Sequence, residues 1–123
     1  MREKIRDKGR LEHILESINN LIEFTEGVSY EDFMRNKILR FAVVKNLEII
    51  GEASYKLSKE FKMTNNDIEW EAIIGLRHVL VHGYYQINEA RLWKIIQKDL
   101  YPLKVQIQTL YDNEMSYREF DSP

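Results

Sequence analysis

From Leu11 onward, apolar residues recur at steps of three and four. Leu11, Ile14, Leu15, Ile18, Leu21 and Ile22 form one stripe, with Glu12, Glu16, Asn19 and Glu23 off it. That period predicts an amphipathic first helix, ended by Gly27. Ser29-Tyr30-Glu31-Asp32 reads as a capping box, in which the serine and the acid satisfy free amides. It opens a second helix expected from about Tyr30 to Phe61. The middle of that helix, "ILRFAVVKNLEIIGEASYKL", is apolar nearly all round. Such a helix is buried on several sides, by its own bundle or by a second subunit. Gly51 in its interior lowers helix propensity but lets a neighbouring backbone approach.

"MTNNDIE" (63–69) reads as a turn, with Asp67 the favoured cap of a third helix. That helix carries Trp70, Ile73, Ile74 and Val81 on one face and ends at Gly83. Asn88 is suited to cap a fourth. There Leu92, Ile96, Leu100, Leu103, Ile107 and Leu110 alternate steps of four and three, as facing helices of a bundle require. Pro102 predicts a kink, and the polar residues after Asn113 predict a frayed tail. No strand pattern or internal repeat competes with this reading. The expected fold is all-α, an antiparallel four-helix bundle over residues 1–112, followed by a polar tail over 113–123.

Composition narrows the possible functions. At 123 residues the chain suffices for one domain and not for two. It contains no cysteine, which removes disulfides, thiolate metal sites and cysteine nucleophiles and suits a reducing cytosol. No apolar run reaches membrane-spanning length, and the charged start "MREKIRDKGR" lacks the apolar region of a signal peptide. A cytoplasmic protein without a membrane partner is expected. The net charge is −2, whereas proteins that coat nucleic acid by charge alone are usually basic. Any contact with nucleic acid therefore has to be made at a local patch.

The chemistry concentrates in "GLRHVLVHGYY" (75–85), where an arginine and two of the three histidines interrupt an apolar run. Three readings are open. The polar groups could be surface or structural. His78 and His82, four apart on one face, could bind a metal, but "HVLVH" lacks the glutamate of the metalloprotease pattern and no third ligand is evident. The third reading is phosphate chemistry. Arg77 offers a planar fork of donors that matches a phosphate, and His82 could move a proton near neutral pH. Together they could cleave RNA without metal: a base takes the ribose 2′-hydroxyl proton, and the arginine stabilises the charged transition state. Arg77 and His82 are five apart, about 140° around an ideal helix. They can line one cleft only if the helix loosens near Gly83 or a second chain completes the site. Arg91, Lys94 and Lys98 follow at helical spacing as a possible RNA track or a solvated face.

"RHVLVH" resembles the signature of HEPN domains, and "HGY" adds the His-x-Tyr extension of the HepT-like branch. "LEIIGEASYKLS" (47–58), "IEWEAIIGLRHVLVHGYYQIN" (68–88), and Trp93 with "DLYPL" (99–103) are similar to that branch in the same order. The resemblance covers about residues 10–110. It implies a homodimeric helical bundle whose two motifs face a shared cleft. It also implies a metal-independent endoribonuclease without cofactor, the toxin of a toxin–antitoxin pair. The implied partner is a minimal nucleotidyltransferase antitoxin, which silences the toxin by binding and by transferring AMP to a tyrosine. Carried over, Arg77 and His82 are catalytic, His78 is auxiliary and Tyr84 is the AMP acceptor; Tyr85 has no assigned role. The alternative keeps the fold without the cleavage: a non-catalytic HEPN module that binds nucleotide or scaffolds a nucleotidyltransferase.

Overall fold

A computed structural model of the chain describes the backbone of residues 2–83 and 89–121 and the side chains of residues 5–80 and 89–113. Among the described residues there is no strand. The helices are α1 (Arg2–Thr25), α2 (Tyr30–Arg35), α3 (Lys37–Lys56), α4 (Lys59–Thr64), α5 (Trp70–Gly83), α6 (Glu89–Lys94) and α7 (Leu100–Asp121). The architecture is an all-α bundle. α3 packs against α1 on one side and α5 on the other, and α7 covers the far side of α1. No helix among the described residues is long and apolar enough to cross a membrane.

The stripe read along the first helix is the inner face of α1. Leu11, Ile14, Ile18 and Leu21 are fully buried, Leu15 is buried, and Ile22 packs at the edge of the core. Gly27 ends the helix with a positive φ of 71°, a conformation that costs glycine no steric penalty. Ser29 caps α2 as read, its side chain accepting from the Asp32 amide at 3.1 Å.

The expected single second helix is in fact three. Asn36 is extended (φ −104°, ψ 92°), and its side chain accepts from the Leu39 amide at 2.9 Å, starting α3 afresh. Arg40 reaches back to the open end of α2, donating to the carbonyls of Phe33 and Met34. A second break falls at Leu57 and Ser58, where the Ser58 hydroxyl accepts from the Phe61 amide at 3.1 Å and caps α4. Asparagine and serine are weak in helix interiors and strong at N-caps, because their short side chains bond nearby amides. Both caps lie within or beside a run apolar enough to read as continuous.

Asp7 locks the second break to α1. Though 95% buried by its 5% exposure, its carboxylate accepts from the Ser58 amide at 2.8 Å and from the Ser58 hydroxyl at 2.7 Å. Asp7→Ala leaves both donors without their acceptor, which should cost about 1–3 kcal/mol. A urea titration should show the midpoint fall with the slope unchanged.

Two further details differ from the sequence reading. α5 begins at Trp70, so Asp67 lies in the preceding turn and not at the cap. There the Trp70 indole donates to the Asn65 carbonyl at 3.0 Å and its ring packs on Phe61. The fourth helical stretch has Leu92, Ile96, Leu100 and Ile107 buried as expected, with Leu103 and Leu110 at the edge. The backbone stays helical through Pro102. It widens into a π turn over Ile95–Asp99 and continues helical. Proline lacks the amide that would bond four residues back, and the wider turn sits where that bond would fall. The backbone stays helical to Asp121, through the stretch after Asn113 read as a frayed tail. Asn88 lies outside the described residues.

Candidate active cleft

α3 turns two different faces outward and inward. Val43, Val44, Leu47, Ile50 and Ala53 are buried. The opposite stripe starts with Ile38 and Phe41, continues through Lys45, Glu48 and Glu52, and ends at Tyr55. Ile38 is 83% exposed and Tyr55 58% exposed. α5 is brought hard against this helix at Gly51. A Cβ built on Gly51 would lie 2.2 Å from the Cβ of Arg77 and 3.2 Å from its Cα. The close approach expected at this glycine therefore occurs, and it occurs at the arginine singled out for catalysis.

Arg77 leaves the contact half-buried. Its Nε lies 2.6 Å from Oε2 of Glu52, and its guanidinium carbon sits 5.5 Å from the centre of the Tyr55 ring. The Nε–H is nevertheless out of line with the carboxylate and makes no hydrogen bond, so the contact is an ion pair at close range. Glu52 also holds Lys56, at 3.4 Å. Such half-exposed pairs contribute about 1 kcal/mol or less; their effect here is to orient the guanidinium.

A cleft of about 360 Å³ opens beside this arginine. Arg10 and His13 of α1 form one wall, one turn apart. Lys45 and Lys56 of α3 and Arg77 of α5 supply the rest of its cationic lining, against the two carboxylates Glu48 and Glu52. Four permanent cations against two carboxylates leave the cleft positive, on a chain whose net charge is −2. Among the described residues, the buried side-chain nitrogens or oxygens without a hydrogen-bond partner are Nε of Arg10 and Nε of Arg77. Both residues line this cleft. Nε of Arg77 still has the Glu52 carboxylate beside it, so the unpaired donor is Nε of Arg10.

Of the residues read from the sequence whose side chains are described, Arg77 is the one that reaches this cleft. His78 is exposed on α5. The backbone of His82 is helical, but its side chain lies outside the described residues, as do Tyr84 and Tyr85. Arg91, Lys94 and Lys98 are exposed on α6 and the π turn and do not line the cleft. α6 itself is anchored on α2, where Trp93 packs 5.1 Å from Phe33 and 6.1 Å from Tyr30 between ring centres. Among the described residues no group of three or more His, Cys, Asp or Glu could hold a metal ion.

Sequence reasoning passed over Arg10, Lys45, Glu52 and Lys56. The available signal was their spacing. Lys45, Glu48, Glu52 and Lys56 are the charged positions of α3 after Arg40, at steps of three and four. That regularity places them on one face.

Comparison with known proteins identifies the family. The family described as Ribonuclease HepT-like matches residues 14–110. The chain is 41% identical over 101 residues to "Putative RNase MJ1380" of Methanocaldococcus jannaschii, covering 82% of this chain and 93% of that protein. It is 39% identical to "Putative RNase TTE0752" of Caldanaerobacter subterraneus subsp. tengcongensis, over 85% of this chain and 93% of that one. It is 38% identical to "Probable ribonuclease HepT" of Thermococcus cleftensis, over 84% of this chain and 94% of that one. No solved structure matches. The chain belongs to the HepT-like ribonuclease family.

Proposed function

We propose that this protein is a metal-independent endoribonuclease, acting as the toxin of a pair whose antitoxin is a minimal nucleotidyltransferase. The observation that carries the reading is the placement of Arg77. It is fixed from below by Gly51 and from the side by Glu52, at the mouth of a cationic cleft. His82 takes the proton of a ribose 2′-hydroxyl, whose oxygen bonds to the adjacent phosphorus. The bond from phosphorus to the 5′-oxygen breaks, and a protonated histidine of the second chain gives that oxygen its proton as it leaves. Arg77 holds the phosphoryl oxygens as charge accumulates on them. The products are a 2′,3′-cyclic phosphate and a free 5′-hydroxyl.

The reaction is assigned to a homodimer. α5 is α-helical through Gly83, so no loosening before that point brings Arg77 and His82 to one side. That supports a site completed by a second chain. The exposed apolar side chains Ile38, Phe41 and Tyr55, on the same face of α3 as the cleft lining, give that second chain a surface to cover.

Silencing is assigned to AMP transfer onto Tyr84, two residues after His82. A phosphate attached there adds negative charge and acceptor oxygens that can occupy the donors of Arg77. The decisive experiment incubates the purified protein with RNA in excess EDTA, alone and after treatment with the nucleotidyltransferase and ATP. We expect cleavage that is lost in His82→Ala and lost on treatment with a gain of AMP mass. Tyr84→Phe should cleave and resist silencing. Nucleotide binding without cleavage would instead make the chain a non-catalytic partner module.

A further inference from the structure

The nuclease reading needs a path for the RNA strand, and the basic residues following the motif in sequence are not in the cleft. We propose that the strand runs through the groove between α1 and α3, with Arg10 and Lys45 holding the phosphate next to the one that Arg77 holds. This rests on the proposed endoribonuclease function and adds where its substrate lies.

Four observations converge on this groove. It is a cavity lined by an arginine of α1, an arginine of α5 and two lysines of α3. Its lining includes Arg10, whose buried Nε has no hydrogen-bond partner, and Arg77, whose Nε is paired with Glu52 at 2.6 Å. Guanidinium forks match phosphate geometry. The cations are only partly neutralised from within: Lys45 stands 4.0 Å from Glu48, and Glu52 is shared between Lys56 and Arg77. Finally, the chain is acidic overall, so a polyanion has reason to seek this local excess of positive charge. A strand is favoured over a mononucleotide because the cations come from three helices, Arg10 from α1, Lys45 and Lys56 from α3 and Arg77 from α5.

The test uses a short labelled RNA with 2′-O-methyl riboses, which cannot supply the attacking hydroxyl. Its binding to the full chain is followed by fluorescence anisotropy across salt concentrations. Arg10→Gln combined with Lys45→Gln should weaken binding at least ~10-fold. It should also lower the slope of log affinity against log salt by about 0.7 for each phosphate contact removed. With cleavable RNA the same variant should raise KM more than it lowers kcat. Lys45 is exposed, so the single Lys45→Gln variant stays informative if the double variant folds poorly. Unchanged affinity and slope in a folded variant would overturn the proposal. Loss in Arg91→Gln with Lys94→Gln in its place would also overturn it, moving the strand to α6. So would displacement of the probe by AMP at the same phosphate concentration, which would make the cleft a mononucleotide site. A wild-type protein that binds the probe here but never cleaves RNA would sink the nuclease reading and leave the groove standing.

Discussion

Arg77→Ala should lower kcat/KM for RNA cleavage by at least ~10²-fold, the scale seen when a preorganised donor to a developing anion is removed. It should do so in a protein that remains folded. Alanine keeps the Cβ that rests on Gly51, so the contact between α3 and α5 survives. The lost ion pair with Glu52 is half-exposed and contributes about 1 kcal/mol or less. Glu52 is not stranded either, because Lys56 remains beside it at 3.4 Å. Arg77→Lys should recover little, since an ammonium is a point charge without the planar fork. Circular dichroism with a urea titration checks the fold, and steady-state cleavage checks the rate. Folded Arg77→Ala that cleaves like the wild type would remove Arg77 from the mechanism. A parallel Glu52→Gln variant separates holding from chemistry. It keeps a side chain of the same shape against the guanidinium but removes the charge that orients it, so its loss should be smaller than that of Arg77→Ala.

What could be read along the chain divides by the range of the interaction that decides it. Periodic burial is local. The inner faces of α1 and of the α6–α7 stretch followed from spacing alone, and the packing buries most of the residues the pattern selects, with Ile22, Leu103 and Leu110 at the edge. Gly51 was legible for a related reason: a glycine inside an apolar helix has few uses other than close approach. Helix breaks were less legible. At Asn36 and Ser58 a single polar side chain outweighs the surrounding helix propensity, and at Ser58 it does so with help from Asp7, 51 residues away. The cleft was least legible. Arg10, His13, Lys45 and Glu52 come from two helices whose pairing creates the cavity, and each alone reads as a solvated surface residue. The motif drew attention to the right arginine but also to Arg91, Lys94 and Lys98, which are neighbours in sequence and do not line the cleft.

Gly51→Ala should damage activity far more than stability. The added methyl would lie 2.2 Å from the Cβ of Arg77, a separation no real pair of carbons tolerates. The obstructing atoms are Cβ, Cγ and Cα of Arg77, close to the backbone, so a rotamer change at the tip of the side chain cannot relieve the clash. α5 has to move away from α3, carrying Arg77 with it. Overpacking of this kind costs about 1–3 kcal/mol, while replacing a helical glycine with alanine returns about 1 kcal/mol of helix propensity. The net loss of stability should therefore be modest, at most about 2 kcal/mol as the difference of those two effects. Catalysis has no such compensation. A displacement near 1 Å of a positioned group can cost ~10²-fold in rate, and the shift acts directly on the Arg77 backbone. Gly9→Ala is the control. Gly9 also lies inside a helix, but a Cβ there meets nothing within 4 Å. It should raise the urea midpoint slightly through propensity alone and leave the position of Arg77 untouched. If Gly51→Ala is as active as the wild type, the contact between α3 and α5 does not hold Arg77 in its working position. If Gly51→Ala instead fails to fold, a Gly51→Ala, Arg77→Gly pair relieves the clash by removing the opposing Cβ. Recovery of the fold without activity in that pair would assign the glycine's role to this one contact.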